Sequence, residues 1–154
     1  MRFAIGFDHA GVTLRERALQ ELEALGHEAF DCGTTDDYPD IALTVCRAVH
    51  DGEAERGVLI CGSGAGVAVA ACKLPGIRAA VAHDTYTGAQ AVEHDNVNVV
   101  CLGSRVVGPE LAASVLHAFA GATYSGAERH VRRLAKVAEM EAEGFDADLG
   151  AVSG

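Results

Sequence analysis

One cysteine stands where an apolar, strand-like run gives way to a glycine-rich turn. Cys61 ends the run 58–60 (VLI), and the turn 62–66 (GSGAG) follows at once, before the helix-like run 67–71 (VAVAA). A residue at such a junction meets free backbone N–H groups and the positive end of a helix dipole. These groups favour bound anions, and they favour a thiolate over a thiol. The pattern therefore predicts a nucleophile or base beside an anion-binding turn.

The spacing of the glycines narrows what this turn could bind. The pattern is GxGxG rather than GxGxxG, it follows the third predicted strand, and no acidic residue marks a ribose site after the second. It therefore supports a dinucleotide site only weakly. No Lys-Ser/Thr pair ends the turn, which excludes a Walker-type phosphate loop. What remains is a nest of amides beside the Cys61 thiol and the Ser63 hydroxyl, with an apolar core cysteine as the alternative.

Two polar residues follow the first strand-like run. Asp8 could bind sugar hydroxyls, and His9 could bind an anion. The alternative is an aspartate that caps a helix beside a surface histidine. The residue types leave both interpretations open.

The second half of the chain carries a histidine and an arginine pair. His94 ends a helical pattern and could act as a general acid or base, or it could complement the helix C-terminus. Arg129 and Arg133 are four residues apart on the last predicted helix, so they share a face. Two guanidinium groups on one face suit a phosphate, and a solvated basic face is the alternative.

Composition limits the function classes. The chain has 154 residues, enough for one domain with a proper core, and a formal net charge of -10, which opposes nucleic-acid binding. Its five cysteines are odd in number and lack CxxC spacing, which argues against a disulfide framework or a structural zinc site. No signal peptide or membrane-spanning run is recognisable, so a cytoplasmic protein is expected.

Apolar runs alternate with helical patterns along the chain. We expect an α/β fold, a three-layer αβα sandwich with a Rossmann-like five-stranded parallel sheet and helices on both faces. The predicted strands are 3–7, 27–30, 58–61, 77–82 and 97–102, and the predicted helices are about 14–25, 41–49, 64–72, 84–94, 109–119 and 126–143. Residues 1–143 should form one domain, and 144–154 a flexible or partner-contacting tail. Ligands of such sheets bind beyond the carboxyl ends of the strands, where Asp8, Cys61 and Arg105 fall.

Seven short segments, taken in order, resemble the type B ribose-5-phosphate isomerases and the related galactose-6-phosphate and allose-6-phosphate isomerases. The resemblance runs from Phe3 to about Val137. The segments are 8–11 (DHAG), 37–40 (DYPD), 60–64 (ICGSG), 75–79 (PGIRA), 94–98 (HDNVN), 102–108 (LGSRVVG) and 129–133 (RHVRR).

The resemblance implies an aldose–ketose isomerase that works through a cis-enediolate without a metal or an organic cofactor. It implies that Cys61 is the base, that Ser63 supports it and that His94 assists ring opening. Asp8 and Tyr38 would contact the sugar, and the amides of 62–66 would hold the enediolate oxygen. The substrate-binding residues implied in this way are Asp8, His9, Tyr38, Gly62, Gly64, Ala65, Gly66, Asp95, Arg105, Arg129 and Arg133.

The resemblance further implies a homodimer, or a dimer of such dimers, with sites shared between subunits. His94 and Arg105 would come from the partner, while His9, Arg129 and Arg133 would bind the phosphate. Two positions depart from the family pattern: Asp95 replaces a usual Asn, and Ser63 replaces a common Thr. Both bear on the substrate: the resemblance favours ribose 5-phosphate, and the alternatives are a hexose 6-phosphate of the allose or galactose type and a tetrose phosphate. A non-catalytic sugar-phosphate-binding module and one subunit of a heteromeric isomerase are the alternatives, and the pattern His83-Asp84 has no assigned role.

Overall fold

The five apolar runs form one parallel sheet. A computed structural model describes residues 1–150 of the chain. The strands lie in the order β2-β1-β3-β5-β4, and every neighbouring pair is parallel. They are β1 (Arg2–Asp8), β2 (Glu28–Thr35), β3 (Arg56–Cys61), β4 (Ala79–Val81) and β5 (Val99–Gly103).

Helices cover both faces of the sheet, which confirms the predicted three-layer architecture. They are α1 (Arg15–Ala24), α2 (Tyr38–His50), α3 (Ala65–Ala71), α4 (Thr85–Asp95), α5 (Pro109–Gly121) and α6 (Glu128–Glu143), with a 3-10 turn at Gly11–Leu14 before α1. Helices α1, α4 and α5 pack on one face, and α2 and α3 pack on the other. In β1, Phe3, Ile5 and Phe7 face the first layer, while Ala4 faces the second. This is the alternation that a strand between two layers requires.

The largest differences from the predicted element boundaries lie in β2, α2 and β4. Strand β2 continues to Thr35, because the polar stretch after Phe30 stays paired with β1 at the sheet edge. Helix α2 begins at Tyr38, three residues before the predicted start, since proline fits the first turn of a helix. Strand β4 is limited to Ala79–Val81, although the apolar run predicted 77–82.

The strand order reverses between β1 and β3, so the loops that leave these two strands lie side by side. The β1 exit loop approaches β3 so closely that a Cβ on Gly11 would lie 1.9 Å from the carbonyl oxygen of Ile60. Only glycine permits that approach, since the obstructing atom belongs to the backbone of a buried strand. The loop that carries Asp8 is thereby held against the residue that precedes Cys61.

The C-terminal helix α6 packs less closely than the others. His130 is the buried residue of α6, while Val131, Val137 and Met140 are about half exposed. The Lys136 ammonium of α6 donates to the carbonyl of Leu149, in the segment after the helix, at 2.6 Å. The predicted tail, 144–154, ends in four residues, 151–154, that lie outside the described residues. No helix among residues 1–150 is both long enough and apolar enough to cross a membrane.

Substituting Gly11 by alanine should destabilise the fold, because the new methyl group would collide with the Ile60 carbonyl of β3. We expect a loss of about 3 kcal/mol in the free energy of unfolding, measured by chemical denaturation. Gly121→Ala is the matched control, because no atom lies within 4 Å of its added Cβ. That control should be neutral or slightly stabilising, and equal stability of the two variants would contradict the steric argument.

Candidate active site

Cys61 lies at the carboxyl edge of the sheet with its sulfur held by the following turn. The side chain is 4% exposed, and its Sγ accepts a hydrogen bond from the Gly64 N–H at 3.1 Å. Gly64 adopts a φ of 79°, and a Cβ there would lie 3.1 Å from the Leu102 carbonyl carbon. A larger residue at this position would be strained in conformation and crowded against β5. Glycine is therefore needed to aim this amide at the sulfur.

The amides of the turn divide into two groups. The N–H groups of Gly64 and Ala65 bind side chains of the chain itself, Cys61 Sγ and Ser63 Oγ (3.2 Å). The α3 ladder begins with the Ala68 N–H, which donates to the Gly64 carbonyl. The N–H groups of Gly66 and Val67, in the first turn of α3, therefore have no hydrogen-bond partner within the helix. Of the amides predicted to form the cradle over 62–66, those of Gly64 and Ala65 thus bind the chain's own side chains.

The Asp8 carboxylate is held by the loop that follows β1, and its contact with a sugar stays a prediction. Its Oδ1 accepts hydrogen bonds from the N–H groups of Ala10 (2.9 Å) and Gly11 (2.8 Å), which is the capping arrangement. A carboxylate has a second oxygen with its own acceptor sites, and that oxygen stays available to a ligand. His9 beside it is exposed, and its Nδ1 lies 3.3 Å from the Asp36 carbonyl oxygen.

The ring of Tyr38 lies flat against the start of α3. A Cβ on Gly66 would lie 3.3 Å from three atoms of that ring. The tyrosine comes from the first turn of α2, which packs beside α3 on the same face of the sheet. Glycine at position 66 therefore sets how closely the ring approaches the turn that follows Cys61.

The loop after β5 is tied to the Cys61 turn of the same chain. The N–H of Ser104 donates to the Cys61 carbonyl at 2.8 Å, and the N–H of Arg105 donates to the Gly62 carbonyl at 3.0 Å. The Ser104 hydroxyl donates to the Ala10 carbonyl at 2.8 Å, which joins the β1 and β5 exit loops. An added Cβ on Gly62 would lie 3.4 Å from Arg105 Nη1. The expectation that Arg105 reaches the Cys61 turn only from a partner is therefore wrong, because its own chain holds it there.

A second polar cluster surrounds His94 at the C-terminal end of α4. The His94 ring stacks on the His130 ring, with centroids 4.1 Å apart and planes inclined by 33°. His130 is 1% exposed. Its Nδ1 lies 2.6 Å from Ser125 Oγ, and its Nε2 accepts a hydrogen bond from Arg129 Nε at 3.1 Å. The sequence placed His130 in a basic run, but its spacing from Leu134 on α6 could have indicated a buried face.

Charges around this cluster act on His130. Burial lowers the pKa of His130, and the neighbouring His94, Arg129 and Arg133 lower it further, while Asp95 raises it. Asp95 is the last residue of α4, and Asn96 ends the helix in the left-handed region with a φ of 48°. The two arginines predicted to bind phosphate thus lie near His94 and Asp95.

The Cys61 cluster lies at the carboxyl ends of the strands, and the His94 cluster lies near their amino ends. Helix α4 begins after the carboxyl end of β4 and returns the chain to the amino end of β5, where the Asn98 carbonyl accepts from the Gly57 N–H. Gly57 pairs with Val99, and Cys61 pairs with Gly103, four residues further along the strands. At about 3.3 Å per residue, roughly 13 Å of strand separates the two edges. Within one chain, His94 does not reach Cys61.

The unassigned pattern His83-Asp84 has a structural role. The Nε2 of His83 accepts the Gly103 N–H at 2.8 Å, which fixes the end of β5. Asp84 caps α4, because its carboxylate accepts from both the N–H and the hydroxyl of Thr87 at 2.7 Å. These bonds fix the end of β5, beside the Cys61 turn, and the start of α4.

The other cysteines have different surroundings. Burial raises the pKa of Cys46 to about 12, and burial raises the pKa of Cys101 well above its ordinary value. Burial also raises the pKa of Cys32, while Cys72 is exposed and lies 3.3 Å from the Ala79 carbonyl oxygen. All five cysteines are free thiols. Among the described residues, no group of three or more His, Cys, Asp or Glu side chains could hold a metal ion.

Comparison with known proteins finds one family. The ribose/galactose isomerase family model matches residues 3–137. Ribose-5-phosphate isomerase B of Escherichia coli is 40% identical over 91% of this chain and 96% of its own length. D-erythrulose-4-phosphate isomerase of Pectobacterium atrosepticum is 39% identical over 82% of this chain and 86% of its own. A solved structure of ribose-5-phosphate isomerase B from Clostridium thermocellum has a TM-score of 0.88 and 41% identity, covering 92% of this chain and 98% of that one.

Substituting Gly66 by alanine tests the contact between Tyr38 and the turn. The new methyl group would push the half-exposed ring outward by a few tenths of an ångström, so turnover should fall while the fold persists. We expect a loss of about tenfold or more in kcat/KM, with unchanged or slightly higher thermal stability, since alanine favours helix. Val69→Ala, an exposed change on the same helix, is the matched control and should leave kcat/KM unchanged. Full activity of Gly66→Ala would show that the position of the ring is irrelevant.

Proposed function

The chain belongs to the ribose/galactose isomerase family, and we propose that it interconverts ribose 5-phosphate and ribulose 5-phosphate with Cys61 as the base. The coarser conclusion follows from the family and its relatives: the protein is a sugar-phosphate isomerase. The single observation that carries the proposed mechanism is the Cys61 sulfur, bound by the Gly64 N–H at the turn into α3. That hydrogen bond stabilises a negative charge on sulfur more than a neutral thiol.

The reaction requires only proton transfers. The Cys61 thiolate removes the proton from C2 of the open-chain aldose, and an enediolate forms as the carbonyl oxygen on C1 gains electron density. The thiol then returns the proton to C1, while the hydroxyl proton on O2 moves to O1, so that the ketose results. No electron leaves the substrate, and the base ends in its starting state.

The surroundings of Cys61 provide the other groups this step needs. The N–H groups of Gly66 and Val67 lie outside the α3 ladder and would stabilise the enediolate oxygen, as donors in an oxyanion hole do. Ser63 lies in the same turn and would support the base. Asp8, through its second carboxylate oxygen, and Tyr38 would fix the sugar hydroxyls, which sets the distance from C2 to the sulfur.

We further propose that the working unit is a homodimer in which His94 of one chain completes the Cys61 site of the other. The support is geometric: Cys61 and His94 belong to opposite edges of a parallel sheet, separated by roughly 13 Å of strand. A ring-opening acid or base must lie within hydrogen-bond reach of the sugar. A second chain offers the means of bringing both groups to one substrate.

An apolar groove supports this assembly. It lies between α6 and the segment from Cys72 to Val97, with a volume of about 1120 Å³. Val131 and Met140 line it and are about half exposed. Exposed apolar surface of this kind is typical of interfaces, and the groove adjoins His94 through Asp95. A partner chain seated there would lie next to the second cluster.

The phosphate would be held by cationic groups from both clusters. His9 and Arg105 lie with the Cys61 turn, and Arg129 and Arg133 lie with His94. In an acidic chain of net charge -10, these three arginines are cations that would attract a dianionic substrate. We also propose a cytoplasmic location, since five free thiols suit a reducing compartment.

The choice of sugar rests on the relatives. Ribose 5-phosphate is favoured by the similarity to ribose-5-phosphate isomerase B of E. coli, and a tetrose 4-phosphate is the second candidate because of the similarity to the Pectobacterium enzyme. The deciding experiment measures kcat/KM for tetrose, pentose and hexose phosphates. The highest value for ribose 5-phosphate would support the proposal. A preference for erythrulose 4-phosphate would overturn the substrate, and turnover of no sugar phosphate would overturn the isomerase itself.

Substituting Cys61 by serine should lower kcat by roughly 10²- to 10⁴-fold, because a hydroxyl is far harder to ionise than a thiol. The fold should persist, since the two side chains are similar in size. Cys46→Ala is the matched control: this buried thiol lies in α2, away from the turn, so its loss should cost stability rather than rate. Near-normal turnover of Cys61→Ser on the true substrate would show that another group is the base.

Mixing two inactive variants tests the shared site. In a hybrid of Cys61→Ser and His94→Ala chains, one of the two sites receives an intact Cys61 from one chain and an intact His94 from the other. Random reassociation at equal concentrations should restore roughly a quarter of wild-type activity. Native mass spectrometry of the mixture would verify that hybrids have formed. Hybrids without activity would mean that the two residues do not serve one site across an interface.

A further inference from the structure

The buried histidine His130 has no part in the proposed reaction, yet it contacts two groups that do. Of the residues of α6, all of which are described, only His130 is buried. Its ring lies against the His94 ring, and its Nε2 lies 3.1 Å from Arg129 Nε. A buried imidazole costs desolvation that an apolar residue on the same face would avoid. Its contacts therefore call for an explanation other than core packing.

The hydrogen bonds of His130 determine where its proton lies. A guanidinium nitrogen has no lone pair and can only donate, so Nε2 must be the unprotonated acceptor of the Arg129 Nε–H. The ring proton is then on Nδ1, which donates to Ser125 Oγ at 2.6 Å. Ser125 is itself fixed, because its N–H donates to the Glu93 carbonyl of α4 at 3.0 Å. The imidazole is thus bound on both nitrogens and oriented from two elements.

The neutral form of the ring matches its electrostatic surroundings. The charged or titratable groups around it are His94 and Asp95 from α4, and Arg129 and Arg133 from α6. Burial, followed by His94 and the two arginines, lowers the pKa of His130, and Asp95 opposes this effect. A protonated ring could no longer accept from Arg129, since Nε2 would carry a hydrogen.

We propose that His130 is a positioning residue, which as the neutral Nδ1–H tautomer holds the Arg129 guanidinium and the His94 ring in one fixed arrangement. This inference rests on the proposed function, in which Arg129 binds phosphate and His94 assists ring opening. Arg129 is an exposed side chain that would otherwise sample many rotamers. An arginine already held by its Nε presents its two terminal nitrogens to phosphate and loses less conformational entropy on binding.

The first test is the tautomer, and it needs no substrate. Long-range ¹H–¹⁵N spectra of the full-length protein, with His130 assigned by its absence in His130→Gln, report which ring nitrogen carries the proton. We expect the Nδ1–H tautomer at neutral pH and protonation only below the ordinary value of 6.5. A protonated Nε2 at neutral pH would overturn the proposal, whatever reaction the protein catalyses.

The second test separates holding Arg129 from stacking on His94. His130→Gln places an acceptor oxygen near the position of Nε2, whereas His130→Asn is too short to reach Arg129. Both lose the ring, so kcat should fall by a similar factor in the two variants. Only His130→Asn should weaken binding of inorganic phosphate, and raise KM for ribose 5-phosphate, by about tenfold. His130→Gln should stay within about threefold of wild type in both quantities.

Two comparisons complete this test. In an Arg129→Ala background, His130→Asn should weaken phosphate binding no further, because the two changes remove the same interaction. Equal phosphate affinity of His130→Asn and His130→Gln would overturn the proposal. It would also be overturned if the loss of phosphate affinity in each variant simply paralleled the fall in its melting temperature. If no sugar phosphate is turned over, the proposed function is wrong. The tautomer of His130 and the affinity for inorganic phosphate would still show whether His130 positions Arg129.

Discussion

All five strands run in the same direction, so each crossover helix must carry the chain from the carboxyl edge of the sheet, where the strands end, back to the amino edge, where they begin. This strand direction separates residues that take part in the same proposed reaction. Cys61 ends β3 at the carboxyl edge, and His94 ends α4 near the amino edge. Each edge of one chain therefore carries half of the proposed chemistry. An assembly that sets the carboxyl edge of one chain beside the amino edge of another would join the halves.

The carboxyl edge is organised by close backbone approach rather than by strong polar bonds. Gly11 approaches the Ile60 carbonyl, and Gly103 approaches the backbone of Ser63, with added Cβ atoms at 1.9 and 2.6 Å respectively. Hydrogen bonds from Ser104 then connect the loops. Such bonds contribute about 1 kcal/mol each, and the glycines let the loops come close enough to form them. The site can be precise because its loops rest on buried strands.

The amino edge relies on a different device, a buried polar cluster. His130 and Ser125 satisfy each other, and Arg129 completes the set. A buried group left without partners would cost about 1–3 kcal/mol, so these bonds make burial of the imidazole tolerable. The arrangement couples α4 to α6, the helix with the fewest buried residues for its length. One cluster thereby determines where His94 and the arginines lie.

The chain order of apolar runs and turns was enough to predict the layers, the parallel sheet and the position of Cys61, because these follow from local periodicity and from the strand-to-turn junction. The family was recognisable from seven short segments, since their residues are local in sequence. Local patterns could not predict that the Gly64 and Ala65 amides bind the chain's own side chains, because those bonds depend on the path of the turn. The place of Arg105 depends on β5 lying beside β3, and the burial of His130 depends on α6 meeting α4. Both are contacts between distant segments, and only the tertiary structure decided them.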